Sequence, residues 1–74
     1  MSKLGNVRPK DVLRALEKRG FVRVKTVGSH IDLRHTNGKR TTIPLHTKTL
    51  GKGLLQKILK QSGLSIDELK QLMK

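Results

Sequence analysis

Apolar residues recur at helical spacing in three stretches of this chain. The first runs from Pro9 to Arg19, begins with a proline that suits a first helical turn, and is followed by Gly20 as a terminator. The second runs from Gly53 to Gln61, and the third opens on the capping-box pattern of Ser65 to Glu68. The pattern predicts two helices of about three turns and a short last helix.

Between the first two helices, apolar and polar residues alternate at strand spacing. The three alternating stretches are Phe21–Val27, Ser29–His35 and Arg40–Leu45. The order α-β-β-β-α-α predicts an α+β fold with a three-stranded antiparallel sheet and helices packed on one face. At 74 residues, the chain is expected to form a single domain over residues 1–74.

Gly28 and Ser29 predict a two-residue turn between the first two strands. That turn would place Val27 opposite His30, Lys25 opposite Asp32, and Val24 opposite Leu33. Val22 and Val24 would then share the apolar face with the core residues of the second strand. Phe21 has the opposite parity, and we expect it to reach the core before the regular strand begins.

The second hairpin requires an odd-length loop, because a two-residue Asn37-Gly38 turn would put Ile43 on the wrong face. We predict a loop over residues 36–38 with Gly38 left-handed and a bulge after it, which sets Ile31 opposite Ile43. The face away from the helices then carries Arg23, Lys25, His30, Asp32, Arg34, Arg40 and Thr42. His46 has the same parity and would come near His30 if the third strand continued past Pro44, whereas His35 has the opposite parity.

Charge narrows the possible partners. The formal net charge is +12, and residues 1–60 hold fifteen of the seventeen lysines and arginines. Such a field attracts phosphate backbones or an acidic protein. The chain has no cysteine, no apolar run of the kind found in signal peptides, and no stretch able to span a membrane, so a cytoplasmic setting is expected.

His30 is the leading candidate for chemistry, because a histidine among cations can move a proton beside a bound polyanion. The predicted activity is RNA cleavage without a metal, with His30 as the base for the 2′-OH and His46 or a lysine as the acid. The pattern alone is also compatible with a surface role or a simple phosphate contact for His30. The predicted RNA-binding residues are Arg23, Lys25, Arg34, Arg40, Lys48 and Lys52.

Four motifs, in order, resemble those of the HicA toxins of HicA/HicB toxin–antitoxin pairs. They are Gly20-Phe21, Gly28-Ser29-His30, Ile43-Pro44-Leu45-His46, and Gly53 followed by residues 58–65. The resemblance implies a fold like that of double-stranded-RNA-binding domains, cleavage of messenger RNA, and an essential histidine that maps onto His30, with Gly28 and Ser29 as motif residues. It also implies an acidic HicB-type antitoxin that covers this histidine. Leu54 and Leu55 depart from the usual Gly-Thr-Leu pattern.

The sequence is also compatible with two other functions. The chain is alternatively a non-catalytic module that holds double-stranded RNA on its basic face, or a protein whose charge serves only to dock an acidic partner. No cofactor or metal is expected, because the spacing of the three histidines is unlike that of strong zinc signatures.

Overall fold

A computed structural model describes residues 7–73, so residues 1–6 and Lys74, which the single-domain prediction includes, lie outside the described part. The elements in chain order are α1 (Pro9–Lys18), β1 (Val22–Val27), β2 (His30–Arg34), β3 (Arg40–Pro44), α2 (Lys52–Ser62) and α3 (Ile66–Leu72). The three strands form one antiparallel sheet in the order β1-β2-β3. The predicted α+β fold is confirmed, with boundaries that shift by one residue.

The local signals in the sequence explain where the helices begin and end. Pro9 occupies the first turn of α1. Gly63 ends α2 with a φ of 75°, a left-handed conformation that favours glycine. At the start of α3, the Ser65 hydroxyl accepts a hydrogen bond from the Glu68 N–H at 3.1 Å, and the Glu68 carboxylate accepts from the Ser65 N–H at 3.0 Å. The predicted capping box is therefore present.

The first hairpin has the predicted turn but not the full predicted register. Val27 lies opposite His30, and Gly28 has a φ of 59°, as the first position of a tight hairpin turn requires. The register then shifts between Arg23 and Lys25, which leaves Val24 in a β-bulge. Leu33 pairs with Arg23 instead of Val24, so the predicted Val24–Leu33 pairing is wrong.

This bulge decides which residues of β1 reach the core. The expectation that Val22 and Val24 face the core is wrong, because their side chains are 59% and 49% exposed. β1 is an edge strand, and the helices pack mainly against β3 and one another. Phe21 is buried, as predicted, and its ring meets the ring of His35 edge-on at 5.0 Å. The bulge reverses the strand parity, which puts Phe21 on the core side.

The second hairpin matches its prediction in full. The N–H of His35 donates to the Lys39 carbonyl at 2.9 Å, and the His35 carbonyl accepts from the Gly38 N–H at 3.0 Å. Gly38 has a φ of 92°. His35 therefore opposes two residues across a three-residue loop, which is a bulge that begins with a left-handed glycine. Ile31 pairs with Ile43 as expected.

The core lies between the helices and the inner face of the sheet. It is built almost entirely from aliphatic side chains, since Phe21 is the one aromatic residue of the chain. Its most deeply buried large members are Val12, Leu16, Leu33, Ile43, Leu50, Ile58 and Leu69. This packing holds β2 and β3 in place and leaves the opposite face of the sheet open for polar side chains. In the described part of the chain, no helix is long and apolar enough to cross a membrane.

Candidate active site on the outer sheet face

The outer face is the side of the sheet on which His30, Asp32 and Arg34 of β2 lie. Ile31 and Leu33 alternate with them and are buried on the inner face. Each outer-face residue of β2 lies between two partners, one from each neighbouring strand, and antiparallel partners share a face. The partners are Val27 and Pro44 for His30, Lys25 and Thr42 for Asp32, and Val22 and Arg40 for Arg34.

His30 and His46 form a pair at one end of this face. Their ring centroids lie 5.5 Å apart, with the ring planes inclined at 50°, and both residues are exposed. The predicted proximity is confirmed, although β3 ends at Pro44 and does not carry His46 on a regular strand. Two imidazoles at this distance can face the same small ligand from adjacent positions.

Ser29 explains how His46 is held after the strand has ended. The Leu45 N–H donates to the Ser29 carbonyl at 2.7 Å, which ties the chain leaving β3 to the β1–β2 turn. The Ser29 hydroxyl lies 3.2 Å from Nδ1 of His46. This contact occupies one ring nitrogen and leaves Nε2 for other partners. Ser29 thus positions the imidazole of His46 from the turn that also carries His30.

Arg34 and Arg40 form a cationic pair farther along the outer face. They lie directly opposite each other on β2 and β3, and both line a cavity of about 370 Å³. Like charges in directly opposed positions repel each other, so an anion bound between them would be stabilised. Asp32 lies beside them, but its carboxylate accepts a hydrogen bond from the Thr42 hydroxyl at 2.7 Å.

Arg23 does not belong to this face, contrary to expectation. Its pairing with Leu33 places it on the inner side, and its Nε donates to Glu17 of α1 at 3.0 Å. The cause is the bulge at Val24, which reverses the parity of the preceding residues. Lys25, on the other side of the bulge, stays on the outer face opposite Asp32.

The remaining predicted RNA-binding residues lie close to the start of α2. Lys48 is exposed in the bend that follows His46, and Lys52 is exposed at the first position of the helix. Gly51, the N-cap, and Gly53 have open space where a side chain would be. Both lysines lie on the segment that connects His46 to α2, and their role in RNA binding stays a prediction.

Lys57 and Gln61 are candidate functional residues that sequence reasoning missed. Both lie on α2 and line, together with His30, a cavity of about 250 Å³. In the sequence, Lys57 is one of many lysines on a helix and is typical of a solvated surface. Lys57 lies three residues after Leu54 and four before Gln61, so the three residues share one helical face. This spacing is the sequence signal that could have identified Lys57.

His35 has a structural role away from the site. Its Nδ1 accepts from the Asn37 N–H at 3.1 Å, so its Nε2 is the nitrogen that donates to the Arg19 carbonyl, also at 3.1 Å. The Nδ1 contact is made within the second hairpin, and the Nε2 contact joins that hairpin to the end of α1. Among residues 7–73, no three side chains of His, Cys, Asp or Glu come together in a group suited to a metal ion.

Comparison with known families identifies a matching family. Residues 9–64 match the sequence model of a family described as the HicA toxin of bacterial toxin–antitoxin systems. The matched segment begins with α1, ends at Leu64 and contains the whole sheet, so it includes both His30 and His46. No curated protein matches the chain significantly.

Proposed function

The chain belongs to the HicA toxin family, whose members are toxins of bacterial toxin–antitoxin systems, and on that premise we propose that it is an endoribonuclease that cleaves messenger RNA. The reaction would take place on the outer face, with His30 as the general base. The observation that carries this proposal is the pairing of His30 with His46 at 5.5 Å on a basic surface. Two adjacent groups that can each gain or lose a proton are what cleavage by acid–base catalysis requires.

The proposed step is an internal transfer at one phosphodiester. His30 takes the proton of the ribose 2′-OH, and the 2′-oxygen attacks the neighbouring phosphorus. The bond from phosphorus to the 5′-oxygen of the next nucleotide breaks, and His46 supplies a proton to that oxygen. The products are a 2′,3′-cyclic phosphate and a 5′-hydroxyl, and no co-reactant is consumed. Such acid–base assistance is worth about 10²–10⁴-fold for each group.

Ser29 supports the assignment of His46 as the acid. When His46 gives up the proton on Nε2, the proton on Nδ1 remains, so Nδ1–H can donate to a hydroxyl in both the charged and the neutral form. The Ser29 hydroxyl, 3.2 Å from Nδ1, can therefore keep its contact when His46 passes from the charged to the neutral form. The proton for the leaving oxygen would come from Nε2. Ser29 is a positioning residue in this proposal.

The cations of the outer face would hold the RNA backbone and stabilise charge that develops on the phosphorane. Lys25 lies on β1 next to the histidine end, and Arg34 and Arg40 lie at the opposite end of β2 and β3. Lys57 lines the same cavity as His30 and is the cation best placed for the reacting phosphate. Lys48 and Lys52 extend the proposed contact surface along the segment after His46.

The proposed protein partner is an acidic antitoxin of the HicB type that covers the His30 face. The strong positive charge of the chain supports a partner of this kind, since complementary charge speeds association. Exposed Val22 and Val27 flank the cations on the outer face and supply apolar area for such an interface. RNA and antitoxin would then compete for one surface.

The experiment that tests the nuclease proposal is incubation of the purified protein with a long single-stranded RNA in EDTA. The matched variants are His30→Ala and Gln56→Ala, the latter an exposed position on α2 that lines neither cavity. Circular dichroism checks that both are folded. We expect the wild type and Gln56→Ala to cleave at similar rates and His30→Ala to cleave about 10²–10⁴-fold more slowly. If both variants bind RNA and the wild type does not cleave, the chain is a binding module and the catalytic assignment fails.

A further inference from the structure

Helix α2 presents a second contact face besides the one that packs into the core. Leu54, Lys57, Ile58 and Gln61 recur at spacings of three and four residues, so they form one stripe along the helix. This stripe borders the outer side of β3, where Thr42 and Pro44 lie. The helix and the strand edge enclose a cleft between them, and His30 is part of its lining.

The lining of this cleft is divided into an apolar part and a polar part. Its apolar part is formed by Leu54, Ile58 and Pro44, of which Ile58 and Pro44 are buried and Leu54 is half-buried. Its polar part is formed by Thr42, Gln61, Lys57 and His30. The cavity volume of about 250 Å³ is large enough for one planar heterocyclic ring. Apolar walls with a few polar groups are typical of sites for small organic ligands.

Gln61 is held in a defined orientation at this cleft. The hydroxyl of Thr41, a buried residue of β3, donates to the Gln61 side-chain oxygen at 2.8 Å. With its oxygen engaged, the amide offers its two N–H donors to a ligand. Thr42 donates its hydroxyl proton to Asp32 and keeps acceptor capacity on its oxygen. The cleft thus holds a fixed hydrogen-bond donor and a neighbouring acceptor. Groups of this type recognise the polar edge of a nucleobase.

We propose that this cleft binds one nucleobase of the RNA, next to the phosphate that His30 acts on. This inference rests on the proposed ribonuclease function and adds a substrate class, which is unpaired RNA. The base would lie between the aliphatic walls with its polar edge at Gln61 and Thr42. The phosphate of the same nucleotide would then lie near Lys57 and His30, which line the same cavity.

The proposal selects single-stranded over double-stranded RNA for a physical reason. A base inside a duplex is stacked and paired, and moving it into a protein cleft costs a few kcal/mol. An unpaired base avoids most of that cost. Proteins that read RNA sequence generally use such splayed bases, because the major groove of an RNA duplex is too narrow for side chains. Gln61 would make the cleavage rate depend on the base that enters.

The test is an NMR titration of the His30→Ala protein with a nucleoside 3′-monophosphate, which is a non-cleavable probe. The signals to watch are the side-chain amide of Gln61 and the methyl groups of Leu54 and Ile58. Inorganic phosphate is the control ligand, because it tests charge without a base. We expect the nucleotide to shift all three residues and inorganic phosphate to leave the Gln61 amide and the methyl groups unchanged. Equal shifts with both ligands, or none with the nucleotide, would overturn the proposal.

Two variants in this binding assay test the cleft itself. Gln61→Ala removes the amide, and its nucleotide affinity should fall by about three- to tenfold, the value of one lost hydrogen bond. Because Gln61→Ala also leaves the buried Thr41 hydroxyl without its acceptor, Leu54→Phe is the second variant, which fills the cleft from the helix side. All three substitutions are made in the His30→Ala protein. Gln56→Ala, on another part of the helix surface, should leave the nucleotide affinity of that protein unchanged. Unchanged affinity in both cleft variants contradicts the proposal.

The outcome of this test is separable from that of the nuclease proposal, because the binding assay uses a protein that lacks His30, the proposed general base. Below, the base site is the proposed nucleobase-binding cleft. If the wild type does not cleave RNA but the nucleotide binds in the cleft, the nuclease proposal fails and the base site stands. If the wild type cleaves RNA but the nucleotide does not bind in the cleft, and Leu54→Phe cleaves at the wild-type rate, the base site fails and the nuclease proposal stands. Duplex RNA cleaved as fast as unpaired RNA would also count against the base site.

Discussion

The Ser29 hydroxyl lies 3.2 Å from Nδ1 of His46, so the turn that precedes His30 also fixes the imidazole beside it. One short turn therefore organises both members of the histidine pair. The backbone contributes as well, because the Ser29 carbonyl accepts from the Leu45 N–H at 2.7 Å. A motif that looks like a simple hairpin turn in the sequence thus has a positioning role in the structure.

This relationship predicts different effects for Ser29→Ala and His46→Ala on RNA cleavage. His46→Ala removes the proposed acid and should lower the rate by about 10²–10⁴-fold. Ser29→Ala keeps the imidazole of His46 but removes the hydroxyl that positions it, so the loss of rate should be smaller. Ser29→Thr, which keeps a hydroxyl, should recover activity. The check is the single-turnover cleavage rate as a function of pH. An unchanged profile in His46→Ala would assign His46 a purely structural role.

The bulge at Val24 predicts that two nearby cations differ in their effect on RNA binding. Lys25 lies on the outer face, whereas Arg23 lies on the inner side in contact with Glu17. Lys25→Ala should weaken RNA binding and reduce the salt slope by about 0.7, the value for one lost contact to single-stranded nucleic acid. Arg23→Ala should leave that slope unchanged. Affinities measured over a series of salt concentrations decide this, and equal slopes for both variants would contradict the placement of Arg23.

Alanine substitutions at Gly20 and Gly53 should change the free energy of unfolding in opposite directions. Gly20 has a φ of 107°, and a Cβ built there would lie 2.9 Å from Nε2 of His35, the atom that bonds the Arg19 carbonyl. Gly20→Ala should destabilise the protein by about 1–3 kcal/mol through backbone strain and displacement of His35. Gly53 is the second residue of α2 and has open space around it, so Gly53→Ala should stabilise the protein by at most about 0.5–1 kcal/mol, the value for a helix interior. Urea unfolding measures both, and a loss of stability in both variants would contradict this reading.

Glu68 predicts a dependence of stability on pH. The hydrogen bond from the Ser65 backbone N–H, and then the positive charge of Arg19, hold the pKa of Glu68 below its ordinary value. A carboxyl with a lowered folded-state pKa stabilises the fold at pH values above its unfolded pKa, and this contribution is lost as the pH falls through the folded-state pKa. Glu68→Gln keeps a side chain that can complete the capping box but has no charge.

The wild type should therefore be more stable than Glu68→Gln near neutral pH, and the difference should shrink as the pH falls below about 4.3. Thermal unfolding of both proteins across this pH range provides the measurement. Added salt should also reduce the difference, because Arg19 and Glu68 are exposed enough for their attraction to be screened. A difference that is constant with pH would show that the charge of Glu68 contributes nothing.

The sequence by itself determined the elements, both hairpin turns and the histidine-bearing face. These features depend on local chemistry, such as the left-handed glycines at positions 28 and 38, the capping box at Ser65, and the period of the apolar residues. Local rules act over a few residues, so they can be read without knowing the fold. The pairing of Ile31 with Ile43 followed from the same parity.

Tertiary structure alone decided the placement of Arg23, the exposure of the β1 valines and the cleft beside His30. The bulge at Val24 adds one residue to an edge strand, and no pattern of alternation identifies where such a residue is inserted. The cleft joins His30 to Lys57 and Gln61, which lie far away in the sequence and meet only because α2 packs along β3. Parity assigns a residue to a face, but the distance between side chains on different elements depends on how those elements pack.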